Sequence, residues 1–395
     1  MEQVLYKLPD GWEWRNLTDI CTPSRKTVEP NPEEQYNYIG LENIESHTGK
    51  VISDSPTKGS EISSTKVSFK KGMVLYGKLR PYLNKVVVAK IDGIATTEII
   101  PFECSDAISP DFLAYYLRSQ YFVDLAMNNC SGARMPRATT KLFTQIAKVP
   151  VTSITEQKRI VEKLDALLTR IDSAIEHLQE SVTLADALYA SELASVFSSG
   201  QDKWPLRELN EVAEVARGKS KHRPRNDKSL FGGEYPFIQT GDVRNAQKYI
   251  KNYSATYNEK GLQQSKLWPK DTICLTIAAN IGDVAILGMR ACFPDSVVGI
   301  SSSELETDYL YYFLTTLQQQ LDSKANAAAQ KNINLKILSE IKIPVPSLDE
   351  QKSIVRQINE IDRLAVKAKA EISEKITMMQ QLKASILDSA FKGEL

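Results

Sequence analysis

Histidine and cysteine are scarce in this sequence of 395 residues, which has three His and five Cys. The cysteines are widely spaced and form no CxxC pair, so the usual zinc-ligand spacing is absent. An odd, scattered set of this kind favours a reducing compartment, and we expect the cytoplasm. Apolar runs are short, the longest lying near 86–89 and 273–279, so we expect no membrane span and no membrane partner.

An excess of either charge is also lacking, since Lys plus Arg and Asp plus Glu each number 49. Any surface for nucleic acid must therefore be local, because the whole chain has no net attraction to a polyanion. Glycine and proline are ordinary at 18 and 17 residues, which excludes collagen-like and low-complexity classes. The length predicts two or three domains.

Catalytic motifs are missing as well. The sequence has no phosphate-binding Walker loop, no G-x-G-x-x-G, no H-E-x-x-H and no Asn/Asp-Pro-Pro-aromatic motif. We interpret His47, His177 and His222 as surface residues rather than general bases. The residues therefore favour a protein without a catalytic site or a bound metal.

An internal repeat is the strongest feature that is present. Residues 148–161 (KVPVTSITEQKRIV) recur as 342–355 (KIPVPSLDEQKSIV), about half the chain later. Residues 36–44 and 111–117 match 235–243 and 308–314 more loosely. The pattern divides the chain into two divergent regions, 1–150 and 201–345, each followed by a region that is similar in both copies, 151–200 and 346–395.

Both similar regions are predicted to be long helices. Each opens with the capping-box spacing Ser-x-x-Glu, at Ser153–Glu156 and at Ser347–Glu350. Two apolar stripes follow, and their spacing predicts that the helices, each roughly 65 Å long, pair as an antiparallel coiled coil. The alternative is that each helix packs separately on its own domain. The stripes consist of Val161, Leu164, Leu168, Ile171, Ile175, Leu178, Val182 and Ala185 in the first helix, and of Val355, Ile358, Ile361, Ala365, Ala368, Ile372, Ile376, Met379, Leu382 and Ile386 in the second.

The divergent regions are predicted to be mixed α/β domains. Short β-branched or aromatic runs between Gly and Pro signals predict strands, and a helix follows in each region. The predicted strands are 38–44, 73–76, 85–90 and 95–102, with a helix from 110 to about 127, and then 237–243, 272–277, 284–287 and 297–300, with a helix from 307 to about 321.

Basic, polar loops are the candidate binding chemistry in these domains. The loop at 217–228 has six Lys or Arg in twelve residues, so it can neutralise phosphates and offer Arg forks and an Asn amide to base edges. A solvated loop without a ligand is the alternative, as it is for loops 131–137 and 326–332, which match in the repeat. The candidate DNA-binding residues are Lys78, Arg80, Tyr82, Lys85, Arg134, Arg137, Arg217, Lys219, Lys221, Arg223, Arg225, Asn226, Gln330 and Lys331.

The sequence resembles the specificity subunits of type I restriction-modification enzymes. The resemblance covers the whole chain and is carried by residues 150–172 and 385–395, by the start LPDGW at 8–12, and by residues 275–285 around NIGD at 280–283. It implies an α+β fold with two target-recognition domains, 1–150 and 201–345, separated by helical spacers 151–200 and 346–395.

The resemblance also implies function and partners. Each recognition domain would read one half of a bipartite, asymmetric site in double-stranded DNA, while the helices space the domains and dock two methyltransferase subunits. Restriction and translocation subunits would join through the complex that this chain forms with the two methyltransferase subunits. The resemblance implies no cofactor on this chain, because S-adenosylmethionine, ATP and magnesium belong to the partner subunits.

Three other functions stay open at this point. The chain could serve a related restriction-modification class, could modify or cut DNA unaided, or could be a structural adaptor whose coiled coil joins other proteins. A turnover assay of the purified chain, and a salt-dependent DNA shift that requires the two domains, separate these functions from DNA recognition.

Exchanging residues 201–345 for the corresponding domain of a relative tests the modular organisation. We expect one half of the recognised site to change and the other to stay the same, because each domain is a separate module on a shared scaffold. Methylation mapping of the exchanged protein is the measurement. A simultaneous change in both halves would show that the domains do not act separately.

Overall fold

The computed structural model describes residues 2–52, 56–200, 202–222, 224–278, 281–318 and 334–395. The chain divides into two compact units: unit 1 is Met1–Gln179 with Ser373–Leu395, and unit 2 is Glu180–Ile372. The described residues form helices α1 (Leu17–Ile20), α2 (Pro110–Arg118), α3 (Gln120–Asn128), α4 (Ile154–Ser198), α5 (Leu209–Val212), α6 (Thr240–Asn245), α7 (Glu259–Gln263), α8 (Thr307–Thr316), α9 (Leu335–Ser339) and α10 (Leu348–Phe391). Helices α4 and α10 each begin in one unit and end in the other.

Unit 1 is built on an antiparallel sheet with strand order β2-β11-β8-β9, against which α2 packs. A second sheet has the order β3-β7-β10-β5, and β1 pairs with β14. The strands are β1 (Glu13–Asn16), β2 (Cys21–Pro23), β3 (Thr27–Val28), β4 (Gln35–Tyr36), β5 (Tyr38–Ile39), β6 (Thr57–Lys58), β7 (Lys66–Phe69), β8 (Val74–Gly77), β9 (Val86–Val88), β10 (Gly93–Ala95), β11 (Ile99–Cys104), β12 (Cys130–Ser131), β13 (Arg137–Ala138) and β14 (Lys148–Val151).

Unit 2 repeats this plan with a different periphery. Its main sheet has the order β16-β22-β20-β21-β18, in which the first four strands correspond to β2-β11-β8-β9 of unit 1. Strand β18 is added parallel to β21, and β15 pairs with β23 as β1 does with β14. The strands are β15 (Leu206–Glu208), β16 (Glu214–Arg217), β17 (Phe231–Phe237), β18 (Tyr249–Ile250), β19 (Ala255–Tyr257), β20 (Ile273–Thr276), β21 (Val284–Leu287), β22 (Val297–Ser301) and β23 (Lys342–Pro344).

A buried glutamine joins each long helix to its domain. In unit 1, Gln157 accepts from the Ser109 amide at 2.8 Å and donates to the carbonyls of Ala107 and Thr152. In unit 2, Gln351 accepts from the Glu306 amide at 2.7 Å and donates to two carbonyls in the same way. A buried amide side chain is costly unless it is fully hydrogen-bonded, so these contacts fix where the domain helix begins.

Aromatic residues complete the attachment. Tyr115 on α2 donates to Asp165 on α4, and the corresponding Tyr312 on α8 donates to Asn359 on α10 at 2.5 Å. The far end of the other long helix closes each core. Phe391 at the end of α10 packs on α2, with ring centroids 5.1 Å from Phe112 and 5.2 Å from Tyr116.

Unit 2 repeats this aromatic contact with the end of α4. Phe197 packs on Tyr309 and Phe313 of α8, with centroids 5.3 and 5.4 Å apart. Each domain helix is therefore held by the beginning of one long helix and by the end of the other. The repeat predicted from the sequence thus extends to individual side-chain contacts.

The long helices pair antiparallel in each unit, as predicted. In unit 1, Lys383 of α10 bonds to Asp172 of α4; in unit 2, Lys369 bonds to Asp186 at 2.6 Å. Every residue of the α4 stripe is buried or half-buried, and Leu164 is fully buried. The α10 stripe is predicted less well, because Ala368 and Leu382 are exposed.

The capping box is complete only in the second helix. The Ser347 amide donates to Glu350 at 2.9 Å while the Glu350 amide donates back to the Ser347 hydroxyl at 3.4 Å. At α4, the Glu156 amide donates to Ser153, whereas the Glu156 carboxylate accepts the guanidinium of Arg159 through two hydrogen bonds.

Several predicted elements are wrong in extent. The predicted strand 38–44 ends at Ile39, because the Asn43 side chain accepts from the Gly40 amide and starts a 3-10 turn. The matching segment 237–243 is likewise mostly helical, since Asp242 accepts from the Gln239 amide ahead of α6. The predicted strand 95–102 is two strands, β10 and β11.

The helix predicted over 110–127 is two helices. Ser119 separates α2 from α3, because its hydroxyl bonds to the Tyr116 carbonyl and receives the Phe122 amide as an N-cap. Helix α8 of unit 2 ends at Thr316, and the end predicted near 321 lies outside the described residues.

Replacing Phe391 with Ala tests the contact between α10 and α2. We expect unit 1 to lose about 3–5 kcal/mol of unfolding free energy, because the ring is 1% exposed and its removal leaves a cavity. Denaturant unfolding of the purified chain measures the change. The control Leu382→Ala removes an exposed side chain from the same helix and should stay within about 0.5 kcal/mol; equal effects of the two variants would contradict this packing.

Candidate nucleic-acid interface

In unit 1 the candidate residues lie on two segments that are adjacent in space. The turn between β8 and β9 contains Arg80 in the left-handed region (φ 52°), followed by a 3-10 turn over Pro81–Leu83. The Arg80 amide donates to the Pro136 carbonyl at 2.6 Å, and the Ala138 amide donates to the Lys78 carbonyl at 2.8 Å. Strand β13 and the residue before it are therefore bonded to this turn.

The candidate side chains on these two segments differ in their exposure to solvent. Arg80, Tyr82, Arg134 and Arg137 are exposed, whereas Lys78 is half-buried. The ammonium of Lys85 donates to the Leu41 carbonyl at 2.6 Å, so it stabilises the turn from inside the domain.

Arg137 has a carboxylate partner that the sequence did not indicate. Its Nε and Nη2 donate to the two oxygens of Glu98, each at 2.9 Å. Glu98 lies immediately before β11, and its own carbonyl accepts from the Lys78 amide at 2.9 Å. The backbone of Lys78 is thus bonded to both neighbours, and the Glu98–Arg137 pair lies across it.

In unit 2 the basic loop leaves the end of β16. Gly218 begins it, and a Cβ there would lie 2.3 Å from the carbonyl oxygens of Phe293 and Pro294, so only glycine fits. Further on, Lys219 accepts from Ser265 at its carbonyl, and the His222 amide donates to Gln264. The loop is therefore attached to the domain along its first half.

The second half of the loop is ordered around Asp227. This residue caps a 3-10 turn by accepting from the Ser229 amide at 2.9 Å, and His222 Nε2 lies 2.7 Å from its other oxygen. The hydrogen bonds from Ser229, followed by that from His222, lower the pKa of Asp227 to about 2. His222 is thus half-buried and bonded within the loop, not the plain surface residue that we expected.

Five candidate residues of this loop are exposed: Arg217, Lys219, Lys221, Arg225 and Asn226. Arg225 Nη2 donates to Asp295 at 2.6 Å, and Asp295 lies just before β22. Arg223, Gln330 and Lys331 lie outside the described residues.

In both units the candidate loops lie at the same end of the main sheet, the end at which β11 and β22 begin. We call this end of the sheet the cationic edge. The residue after β8 bonds to Glu98 ahead of β11, and Ile277, after β20, bonds to Ser296 ahead of β22 at 3.0 Å. The loop from β16 starts at this edge too, because Arg217 pairs with Val298 at the beginning of β22. One edge therefore carries cationic loops in both units, although the loops come from different strand ends.

The described part of the chain offers no group of three or more His, Cys, Asp or Glu residues arranged to hold a metal ion. All five cysteines are free thiols. None of the helices in the described ranges has the length and apolar character needed to cross a membrane.

Comparison with known proteins identifies the family. Residues 9–184 and 201–378 each match the family described as the type I restriction modification DNA specificity domain. The two matches span most of the sequence, and the chain belongs to this family. The family resemblance, the fold class and the function of a specificity subunit predicted from the sequence are thereby confirmed, and a structural adaptor is not favoured.

Individual relatives agree with this result. The specificity subunit of the type I restriction enzyme StySPI from Salmonella potsdam is 21% identical, over 98% of this chain and 90% of that protein. A solved structure concerned with complex assembly and conformational transition of the type I restriction-modification system is 25% identical, with a TM-score of 0.82, covering 99% of this chain and 100% of its own. The HsdS subunit from Thermoanaerobacter tengcongensis, 24% identical with a TM-score of 0.59 over 99% of both chains, has the same fold.

Proposed function

We propose that each unit reads one half of a bipartite, asymmetric site in double-stranded DNA through the cationic edge of its main sheet. The proposal rests on one observation. The cationic loops lie at the same end of the main sheet in both domains, although the loops themselves differ. A shared scaffold with unlike loops is what recognition of two different half-sites requires.

The side chains at this edge suit the two tasks of DNA recognition. Exposed Lys and Arg neutralise phosphates and fix the register, whereas Arg forks and the Asn226 amide can bond to base edges in the major groove. Arg80 and Tyr82 in unit 1 and Lys219 and Lys221 in unit 2 are the phosphate-side candidates. Arg137 and Arg225, which are oriented by carboxylates, are the base-side candidates.

Single substitutions at Lys221 and Arg225 test this division. We expect Lys221→Ala to weaken binding to all sequences and to lower the salt slope by about one unit, and Arg225→Ala to cost about 1–3 kcal/mol at one base pair. Affinity for cognate and substituted duplexes at several salt concentrations is the measurement. Lys336→Ala, which removes an exposed Lys on α9, is the control. Unchanged affinity and salt slope in both loop variants would exclude this loop from DNA contact.

We also propose that the chain acts within a larger assembly and performs no catalytic step itself. Two methyltransferase subunits would dock on α4 and α10, with restriction and translocation subunits joining through them. S-adenosylmethionine, ATP and magnesium would then be bound by those partners, and the cytoplasm is the compartment we propose.

Exposed apolar side chains on the long helices support docking there. In the portion within unit 2, Leu184, Leu188, Leu364 and Val366 are exposed, and Leu188 is 62% exposed. In unit 1, Met378 and Leu382 are exposed on α10. Apolar residues repeated along an exposed helical surface are typical of a protein interface.

Charged substitutions on this surface test the docking. We expect Leu184→Glu with Leu188→Glu to abolish co-purification of methyltransferase and methyl transfer to DNA, because a buried charge without a partner is costly. Light scattering and methyl-transfer assays of the co-expressed proteins measure both effects. Thr183→Glu on the same helix is the matched control. Methyl transfer by the chain alone, or an intact assembly in the double variant, would contradict the proposal.

A further inference from the structure

A carboxylate holds one exposed arginine at the cationic edge in each unit. Glu98 holds Arg137 in unit 1 and Asp295 holds Arg225 in unit 2, and each carboxylate lies just before the strand at the centre of this edge, β11 or β22. The paired residues are 39 and 70 positions apart, so neither pair is a by-product of local helical spacing.

Stability is a weak reason for these pairs. The side chains of Arg137 and Arg225 are 50% and 49% exposed, and ion pairs in such settings contribute little to folding. The pairs instead determine how the guanidinium is presented, since a free Arg side chain samples many rotamers and Glu98 restricts Arg137 to one plane.

The geometry of the Glu98–Arg137 pair leaves the outer end of the guanidinium free to donate hydrogen bonds. A guanidinium has five N–H donors in a fixed fork, and Glu98 takes Nε and one proton of Nη2. The outer end, with both Nη1 protons and the second Nη2 proton, stays directed away from the carboxylate. Two donors from Nη1 and Nη2 are what a bidentate contact to O6 and N7 of guanine needs.

We infer that Glu98 is a positioning residue for specificity, which orients Arg137 toward a guanine edge and disfavours a phosphate contact by the same side chain. The negative charge of Glu98 repels a phosphate, which carries a full charge, much more strongly than it repels the uncharged acceptor edge of a base. Both backbones are fixed, because the Lys78 amide bonds to Glu98 and the Lys78 carbonyl to Ala138 beside Arg137. Asp295 performs the same task for Arg225 with one hydrogen bond and therefore less restriction.

This inference rests on the proposed DNA contact, and one set of variants separates the two. The complex with methyltransferase is purified with wild-type chain, Arg137→Ala, Glu98→Gln or Glu98→Asp, and affinity is measured for duplexes in which each base pair of one half-site is changed singly. Arg137→Ala identifies the base pair that Arg137 reads. The matched control is Glu360→Gln, which breaks a bidentate pair with Arg363 of the same kind on α10.

We expect Glu98→Gln to reduce discrimination at that one base pair by roughly 5- to 150-fold, the range of a bidentate Arg–guanine contact. Affinity for unrelated DNA should rise, with a salt slope steeper by about one unit, because Arg137 becomes free to contact phosphate. Glu98→Asp should restore part of the discrimination, and Asp295→Asn should have a smaller effect confined to the other half-site.

Each contrary result has a distinct meaning. If Arg137→Ala changes no base preference, the proposed DNA contact of Arg137 is wrong and the inference falls with it. If Arg137→Ala removes discrimination but Glu98→Gln keeps it, only the positioning role is overturned. Equal losses at every base pair with Glu98→Gln would show that Glu98 maintains the domain instead.

Discussion

The fully bonded glutamine at the beginning of each long helix is the constraint on which the rest of each unit depends. Gln157 and Gln351 are at most 1% exposed, and each binds the backbone on both sides of the helix–domain junction. Because leaving any of these groups unpaired is costly, the junction has one geometry. The Tyr115–Asp165 contact and the Phe391 ring then extend this junction along α2.

Holding the domain helix in this way leaves the opposite edge of the sheet free to vary. Unit 1 fills that edge with the β8–β9 turn and a hairpin, whereas unit 2 uses a loop from β16. The positions that contact the long helices are nevertheless equivalent in the two units, as Tyr115 and Tyr312 show. The candidate binding loops can thus differ between the two domains without disturbing the attachment.

Local interactions explain which parts of the structure could be predicted. The Ser-x-x-Glu boxes and the apolar stripes depend on neighbours three or four positions away, so the ends of both long helices were predicted to within four residues. The errors at 38–44, 119 and 237–243 come from single side chains, Asn43, Ser119 and Asp242, which cap a turn within a segment of strand or helix composition.

In the candidate site, too, some residues could be predicted from the sequence and others could not. Clusters of Lys and Arg among Gly and Pro are visible in sequence, and those in the described residues fall at one edge of each sheet. Glu98 and Asp295 were missed because their partners are distant in sequence and their own neighbours are ordinary. Lys85 was misjudged in part, because its contact with the Leu41 carbonyl depends on the folded turn. A search for carboxylates just before the central strand of each repeat would have found Glu98 and Asp295, although not their partners.

We propose that two separate surfaces of one chain each read half of the DNA site. Genome-wide methylation mapping in a host that carries this chain with its methyltransferase tests it most directly. We expect a modified sequence with two short, unlike, specific blocks separated by a gap of fixed length and no sequence preference. A single continuous or fully palindromic site would contradict it.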